Sequence, residues 1–409
     1  MVSIVIGDQG SGNKHLSTVD FMKRELANLH ATTNANMNKW IILADGTRVH
    51  LRLINGRPQA FIYTSIRELF CAIGNPFLFS IPTNPNAFVS KDGIDWSCVQ
   101  LSDMPTPALT PSGWGIGAFN GDIIVSVRFN SNSGEISDDR GFTWTPIVLP
   151  KTAYWSDIVW NGSFFCMISL EDSNTPLVTA YSAVSSDGIT WETGLLPSNG
   201  ASSPTTSSWT QLSWNGSFFC AISPSLFGSA RSAISEDGLN WIVTDSIPHR
   251  FWSGLDWNGS VFCAVASNDP LSSYVNDKVA TSPDGIAWTL RDIPTSVDSW
   301  SSLVWGGSVF CAVASNQVLL GVIRTMTSPD GIEWSLSTDS SLSPKNWFSV
   351  AWSGKRFYAV TSLGSLSTIA ATSLDGLAWV ELEFPPCAVS SGVISVPTTV
   401  SLLPPTNVG

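Results

Sequence analysis

A formal charge of -12 over 409 residues, with a pI near 4.6, excludes binding to a nucleic-acid backbone through a basic surface, which needs clustered Lys or Arg to displace counterions. Only 13% of residues are charged against 43% hydrophobic, and 19 Trp stand beside 5 Tyr, which points to an all-β chain and not to a helical or disordered one. No apolar run reaches the roughly 18 residues of a membrane span, and the opening MVSIVIGDQGSG lacks the basic and apolar regions of a signal peptide, so a protein made in a cytoplasm is expected.

Residues 1–59 carry no repeat. Ser17 to Asp20 has capping-box character, and Val19, Met22, Leu26 and Leu29 follow at helical spacing, which predicts a short amphipathic helix near 18–30. Asp45-Gly46 and Asn55-Gly56 then punctuate β-prone runs, so this segment reads as a small α/β appendage suited to attachment or oligomerisation. GDQGSGNK (Gly7 to Lys14) lacks the Gly-Lys-Ser/Thr of a phosphate loop and reads as a linker. His15, His30, His50 and His249 have no metal-ligand spacing; no metal and no cofactor are expected.

From residue 60 to 384 a single unit recurs. Its second half is SKDGIDW (Ser90 to Trp96), SDDRGFTW (Ser137 to Trp144), SSDGITW (Ser185 to Trp191), SEDGLNW (Ser235 to Trp241), SPDGIAW (Ser282 to Trp288), SPDGIEW (Ser328 to Trp334) and SLDGLAW (Ser373 to Trp379). Its closing residues, Trp96, Trp144, Trp191, Trp241, Trp288, Trp334 and Trp379, are spaced by 45 to 50 residues. The first half runs from WSDIVWNGSFFCMIS (Trp155 to Ser169) to WFSVAWSGKRFYAVTS (Trp347 to Ser362), after diverged copies at Trp114 to Val127 and Ala60 to Asn75.

Each half predicts a hairpin. Asn161-Gly162, Asn215-Gly216 and Asn258-Gly259 predict two-residue turns with both residues at positive φ. In the other hairpin Asp92, Asp139, Asp187, Asp237, Asp284, Asp330 and Asp375 are expected to accept backbone N-H bonds ahead of a left-handed Gly. Four antiparallel strands per unit make one propeller blade, so seven units predict a seven-bladed β-propeller, with the repeated Trp packed between blades. Cys71, Cys166, Cys220, Cys263 and Cys311 follow Phe in the same context and are expected as free, packed thiols. The uncharged stretch 385–409, with Gly392 to Val396, is expected as a closing strand or a docking tail.

Ser137-Asp138-Asp139-Arg140-Gly141-Phe142-Thr143-Trp144 resembles the Asp box, the repeat of bacterial neuraminidases and related propellers, and the other six copies match it with one residue deleted. The resemblance implies the propeller fold for residues 60–384 and leaves activity open, because Asp-box propellers include glycosidases, sorting receptors, assembly factors and phage tail proteins. A sialidase-like site would require three arginines, a Tyr nucleophile with a Glu, and an acidic Asp. Arg128, Arg231 and Arg324 are the arginines considered for convergence on the axis, with Tyr63, Tyr154, Tyr181, Tyr274 and Tyr358 as the tyrosines present; a surface salt link or solvated strand end is the preferred reading of those arginines. Glu171 and Asp172 in a loop, and Glu381 and Glu383 on the last strand, are the acids outside turns, and nothing in the sequence pairs them for glycoside hydrolysis. Catalytic residues are therefore expected to be none.

The expectation is a non-enzymatic structural or adhesion protein. Degenerate boxes with a short N-terminal adaptor look most similar to bacteriophage virion proteins, which implies a tail component, either a hub or nozzle piece or a fibre tip. Expected partners are other virion and tail proteins through the appendage and a host-surface glycan or receptor, within a homo-oligomeric or larger assembly and without nucleic acid or membrane insertion. The alternatives are a sialidase-like glycoside hydrolase and a propeller-type assembly factor.

Overall fold

The computed structural model describes most of residues 114–383 and, outside that span, the strand backbones at 4–5, 38–42, 48–54, 57–63, 70–74, 86–90, 96–100 and 394–395. Within 114–383 the connections at 171–179, 198–208, 225–229, 268–277, 295–298, 315–324, 338–346 and 362–368, with residues 129, 140, 245 and 246, lie outside the described residues. So do the helix expected at 18–30, Asp92, Arg324, Glu171 and Asp172. The chain divides into two compact units, Met1–Arg67 and Glu68–Gly409.

The first unit holds one four-stranded sheet. Arg48–Ile54 pairs antiparallel with Asn38–Ile42 on one side and Arg57–Tyr63 on the other, and Ile4–Val5 adds parallel to Arg57–Tyr63. Arg57–Tyr63 runs across the boundary expected at residue 59 and belongs to this sheet throughout.

The second unit is a succession of four-stranded antiparallel meanders. Sheet A comprises Trp114–Phe119, Ile124–Arg128, Ser131–Ser137 and Thr145–Ala153; sheet B comprises Trp155–Trp160, Phe165–Ser169, Ala180–Ser185 and Glu192–Leu196. Sheet C comprises Gln211–Trp214, Phe219–Ser223, Arg231–Ser235 and Ile242–Thr244; sheet D comprises Phe251–Trp257, Phe262–Ser267, Lys278–Ser282 and Thr289–Asp292. Sheet E comprises Trp300–Trp305, Phe310–Ala314, Thr325–Ser328 and Ser335–Leu336; sheet F comprises Trp347–Trp352, Phe357–Thr361, Ile369–Ser373 and Trp379–Glu383. A further sheet draws on both ends of the unit: Ile394–Ser395 pairs antiparallel with Phe70–Gly74, followed by Asn86–Ser90 and Trp96–Gln100. In that sheet Ile394–Ser395 takes the place that a first strand takes in sheets A to F.

The first strands of sheets A to F touch one another in succession, so they form the inner edge from which the sheets fan. Second strands are buried over their whole length, as in Phe165–Ser169, Phe219–Ser223 and Phe310–Ala314. Their alternate side chains serve two interfaces. Phe165 and Met167 pack toward sheet A while Cys166 and Ile168 pack toward sheet C, and Cys220 and Cys263 repeat the pattern one and two sheets on. This is why the sequence is apolar on both strand faces: each sheet is sandwiched between two others. Cys166, Cys220, Cys263 and Cys311 are free and buried, and burial raises all four thiols, which keeps them protonated and inert.

The Asn-Gly turns differ from the two-residue geometry expected of them. Trp160 pairs directly with Phe165, so the loop holds four residues, and only the Gly has positive φ (Gly162 +98, Gly216 +96, Gly259 +97). The reason is a side-chain cap: Asn161 Oδ1 accepts the N-H groups of Ser163 at 2.9 Å and Phe164 at 2.8 Å, and Asn215 and Asn258 do the same. Asn therefore acts as an acceptor in this turn and has no need of the left-handed region.

Candidate functional site

The repeated aspartates sit in the turns between third and fourth strands. Asp187 Oδ1 accepts Ile189 N at 2.8 Å, Thr190 N at 2.7 Å and Ser185 Oγ at 2.9 Å, and Asp237, Asp284, Asp330 and Asp375 each accept the equivalent three bonds. Asp139, in the longer turn, accepts from Ser137, Thr143 N and Thr143 Oγ1. Burial works to raise the Asp237 carboxyl, but the Asn240 and Leu239 N-H groups with the Asn240 and Ser235 side chains outweigh it and hold it at about 2. Burial is likewise outweighed in Asp187, Asp284, Asp330 and Asp375, which the N-H and hydroxyl groups of their turns lower, so with Asp237 they stay ionised, and all six described box carboxylates are engaged in shaping their own turns.

The closing tryptophans complete the same device. The six whose side chains are described donate the indole N-H to the turn Gly carbonyl, from 2.9 Å for Trp144 through 3.0 Å for Trp191 to 3.1 Å for Trp241, Trp288, Trp334 and Trp379. Trp241, Trp288 and Trp379 also reach the preceding sheet, donating at 3.1 Å to Ser182, Ser232 and Thr325. The turn Gly lies on the second strand of the preceding sheet: a Cβ on Gly238 would fall 2.8 Å from Cys166 Sγ, and one on Gly376 3.0 Å from Cys311 Sγ. Box and blade packing are thus one structure.

Of the three arginines, Arg128 is buried at the end of the second strand of sheet A, and its guanidinium stands 3.7 Å from Glu135, itself 1% exposed. Burial lowers the Arg128 pKa against the opposing pull of Glu135. Glu135 stands at the register position filled by Ala183, Ala233, Ala280, Met326 and Ala371 in sheets B to F. Arg231 opens a third strand, away from the inner edge, opposite Ser223. Among the described residues, then, neither Arg128 nor Arg231 stands on the inner strands.

Those inner strands carry two carboxylates that the sequence reading passed over. Asp157, on the first strand of sheet B, accepts Ile158 N at 2.8 Å through Oδ1 and Leu212 N of sheet C at 2.7 Å through Oδ2. Asp256, on the first strand of sheet D, accepts Trp257 N at 2.8 Å and Ser213 Oγ of sheet C at 3.4 Å through Oδ1, and Trp305 N of sheet E at 2.7 Å through Oδ2. The two acids thus flank consecutive residues, Leu212 and Ser213, of one strand. Enclosure by protein raises Asp157 to about 7 against the pull of its two N-H donors, with Asp256 adding repulsion. Enclosure likewise raises Asp256 to about 6. Both keep partial solvent exposure, so they exchange protons near neutral pH. Serine hydroxyls add to the staple: Ser156, Ser253 and Ser301 donate to the Trp209, Trp300 and Trp347 carbonyls of the next sheet at 2.6, 2.6 and 2.7 Å. Among the described residues no group of three or more His, Cys, Asp or Glu could hold a metal ion, and no helix is long and apolar enough to cross a membrane.

No protein-family model matches this sequence, and no curated protein sequence matches it. Solved structures do. A catalytically inactive variant of virginiamycin B lyase from Staphylococcus aureus superposes with a TM-score of 0.51 at 10% identity, over 76% of this chain and 97% of that one. Pyrococcus horikoshii acylaminoacyl peptidase gives 0.50 at 12% identity over 78% of this chain and 50% of that one. YCF48 bound to D1 peptide gives 0.49 at 13% identity over 87% and 97%. The likeness to the lyase and the peptidase establishes a β-propeller fold and nothing finer, since those two differ in activity.

Proposed function

We propose that the chain is a non-enzymatic seven-bladed propeller that serves as a binding scaffold in a bacteriophage virion, as a tail component that docks other tail proteins and contacts the host surface. The observation that carries the scaffold reading is the fate of the repeated polar side chains. The box aspartates, the closing tryptophans and the inner-strand serines are hydrogen-bonded into turns and into neighbouring sheets. The seven-blade closure is supported by Ile394–Ser395, which pairs with Phe70–Gly74 and touches strands of both sheet F and sheet A. The virion assignment rests on the resemblance of degenerate, adaptor-bearing Asp-box chains to tail proteins. Mass spectrometry of purified particles from a phage that encodes the chain tests it: recovery at stoichiometric abundance is expected, and absence from mature particles overturns the assignment.

A second reading, a glycoside hydrolase, has one observation in its favour. Asp157 and Asp256 are inner-strand carboxylates raised toward neutrality, as an acid and base pair would be. Against it, all four of their oxygens already accept hydrogen bonds that join sheets or fix their own strands.

A further inference from the structure

Each first strand of sheets B to F ends on a tryptophan: Trp160, Trp214, Trp257, Trp305 and Trp352. Each indole leans on the phenylalanine that opens the next strand, with ring centres 4.6, 4.5, 4.6, 4.9 and 4.5 Å apart, yet all five stay partly exposed. Turn residues continue the band across sheet boundaries, Phe164 lying 5.7 Å from Phe219 and Phe218 lying 6.0 Å from Phe262. In an up-and-down meander the turn between strands one and two and the turn between strands three and four lie at the same end, so this band belongs to the short-turn end of the propeller.

Exposure and hydrogen bonding together separate these indoles from the others: Trp209, Trp300 and Trp347, at or just before the start of first strands, also have indole N-H groups without an acceptor among the described residues, but theirs are sealed in the interior. The box tryptophans donate to a Gly carbonyl, and Trp155 and Trp252, at the opposite end of the first strand, donate to Ser131 and Pro248 carbonyls. Among the described residues the N-H groups of Trp160, Trp214, Trp257, Trp305 and Trp352 meet no acceptor, and they are not sealed from solvent. Beside them, Asn161, Asn215 and Asn258 spend Oδ1 on the turn, which leaves the Nδ2 donors without a partner among the described residues, and Ser163, Ser217 and Ser260 are exposed. The turns between first and second strands of sheets B to E carry no charge, and Asp122 in sheet A and Lys355 and Arg356 in sheet F bound that stretch; the box turns at the same end add Asp187, Glu236, Asp237, Asp284, Asp330 and Glu333, the aspartates among them spending Oδ1 on their own turns.

A ligand complementary to this surface has apolar C-H faces to lie on indoles and many neutral acceptors for N-H and O-H donors. Nucleic acid or an acidic peptide requires cations that sheets B to E do not place there. A peptide also offers carbonyl acceptors, but a pyranose ring carries its acceptors on the rim of the same C-H face that stacks, which is what an indole bordered by Asn and Ser donors fits. We propose that the short-turn end binds an uncharged glycan, with Trp160, Trp214, Trp257 and Trp305 as stacking platforms and the adjoining Asn and Ser side chains as donors. This takes the binding-scaffold reading as its premise and names the ligand. Repetition of the unit around the ring makes the surface multivalent, so single sites of modest affinity suffice.

The test uses the isolated full chain on an immobilised panel of uncharged oligosaccharides covering hexose, N-acetylhexosamine and deoxyhexose units. Saturable binding to at least one class is expected, with quenching of tryptophan fluorescence. The triple variant W214F/W257F/W305F keeps the aromatic packing and removes the indole donors; binding weakens more than tenfold. N215D/N258D keeps the turn acceptors and replaces the amide donors by carboxylates, with the same expected loss. Binding to no panel member, or equal binding by the wild-type chain and both variants, overturns the proposal. A chain that binds sugar but is absent from particles would sink the virion assignment alone, and a virion chain that binds no sugar would sink this proposal alone.

Discussion

Two glycines separate what a turn requires from what the interface between sheets requires. Gly162 and Gly238 both have positive φ, +98 and +72, but a Cβ on Gly162 would meet nothing within 4 Å, whereas one on Gly238 would lie 2.7 Å from Val184 Cγ1 and 2.8 Å from Cys166 Sγ. Gly162→Ala therefore costs only the backbone penalty, about 1–2 kcal/mol. Gly238→Ala adds overpacking against the preceding sheet, about 1–3 kcal/mol more, for a total of about 2–5 kcal/mol. Chemical denaturation followed by tryptophan fluorescence reads the difference. Cys166→Ala in the Gly238→Ala background relieves one of the two contacts and is expected to recover part of the loss, a coupling absent when it is combined with Gly162→Ala. Equal destabilisation by the two glycine variants would refute the claim that the box turn locks adjacent sheets.

Other perturbations follow from the inner strands. Asp157 titrates at about 7 in the fold against 3.8 for the free group, so its contribution is fully present below about pH 4 and lost as pH rises to about 7. Asp157→Asn should accordingly flatten the fall in thermal midpoint between pH 4 and 7, while its Nδ2, which cannot accept, leaves either the Ile158 or the Leu212 N-H unpaired at a pH-independent cost of about 1–3 kcal/mol; a variant with the wild-type slope would contradict the assignment. Ser253→Ala removes the single hydroxyl that donates to the Trp300 carbonyl, with the Val265 carbonyl at 3.4 Å, and should cost about 1–3 kcal/mol in urea unfolding. Thr210 fills the equivalent place in sheet C with a buried, unpaired hydroxyl, and Thr210→Ser, free of the methyl that fixes χ1, should gain about 1 kcal/mol. Deleting residues 385–409 removes the strand paired with Phe70–Gly74; a lower thermal midpoint and faster proteolysis are expected, and unchanged behaviour would argue against ring closure through the C-terminus.

The repeat was legible because turn chemistry is local. Ser185, Asp187, Gly188 and Trp191 make their defining bonds within a few residues of one another, so their spacing alone announced the turn. The FC positions were legible for a different reason: burial on both faces leaves an unbroken apolar run. Asp157 and Asp256 escaped notice because their decisive partners, Leu212 and Trp305, lie 55 and 49 residues away on the next sheet. A carboxylate inside a Trp-bounded strand was the available signal. Asn161 was assigned to the right turn by composition but with the wrong backbone, since φ at Asn depends on whether its side chain or its main chain closes the loop. The three classes of tryptophan look alike in sequence; what distinguishes them is where the fold places the ring: in a box turn, sealed at the start of a first strand, or partly exposed at its end.

The central claim is that the conspicuous polar residues build the propeller and do no chemistry, and turnover measures that most directly. Purified chain incubated with sialosides and with neutral oligosaccharides, analysed for new reducing ends, should yield no product above a no-protein control at any pH from 4 to 8. Product formation abolished by Asp157→Asn or Asp256→Asn, in variants that retain the wild-type fold, would contradict the account and make the inner-strand carboxylates a catalytic pair.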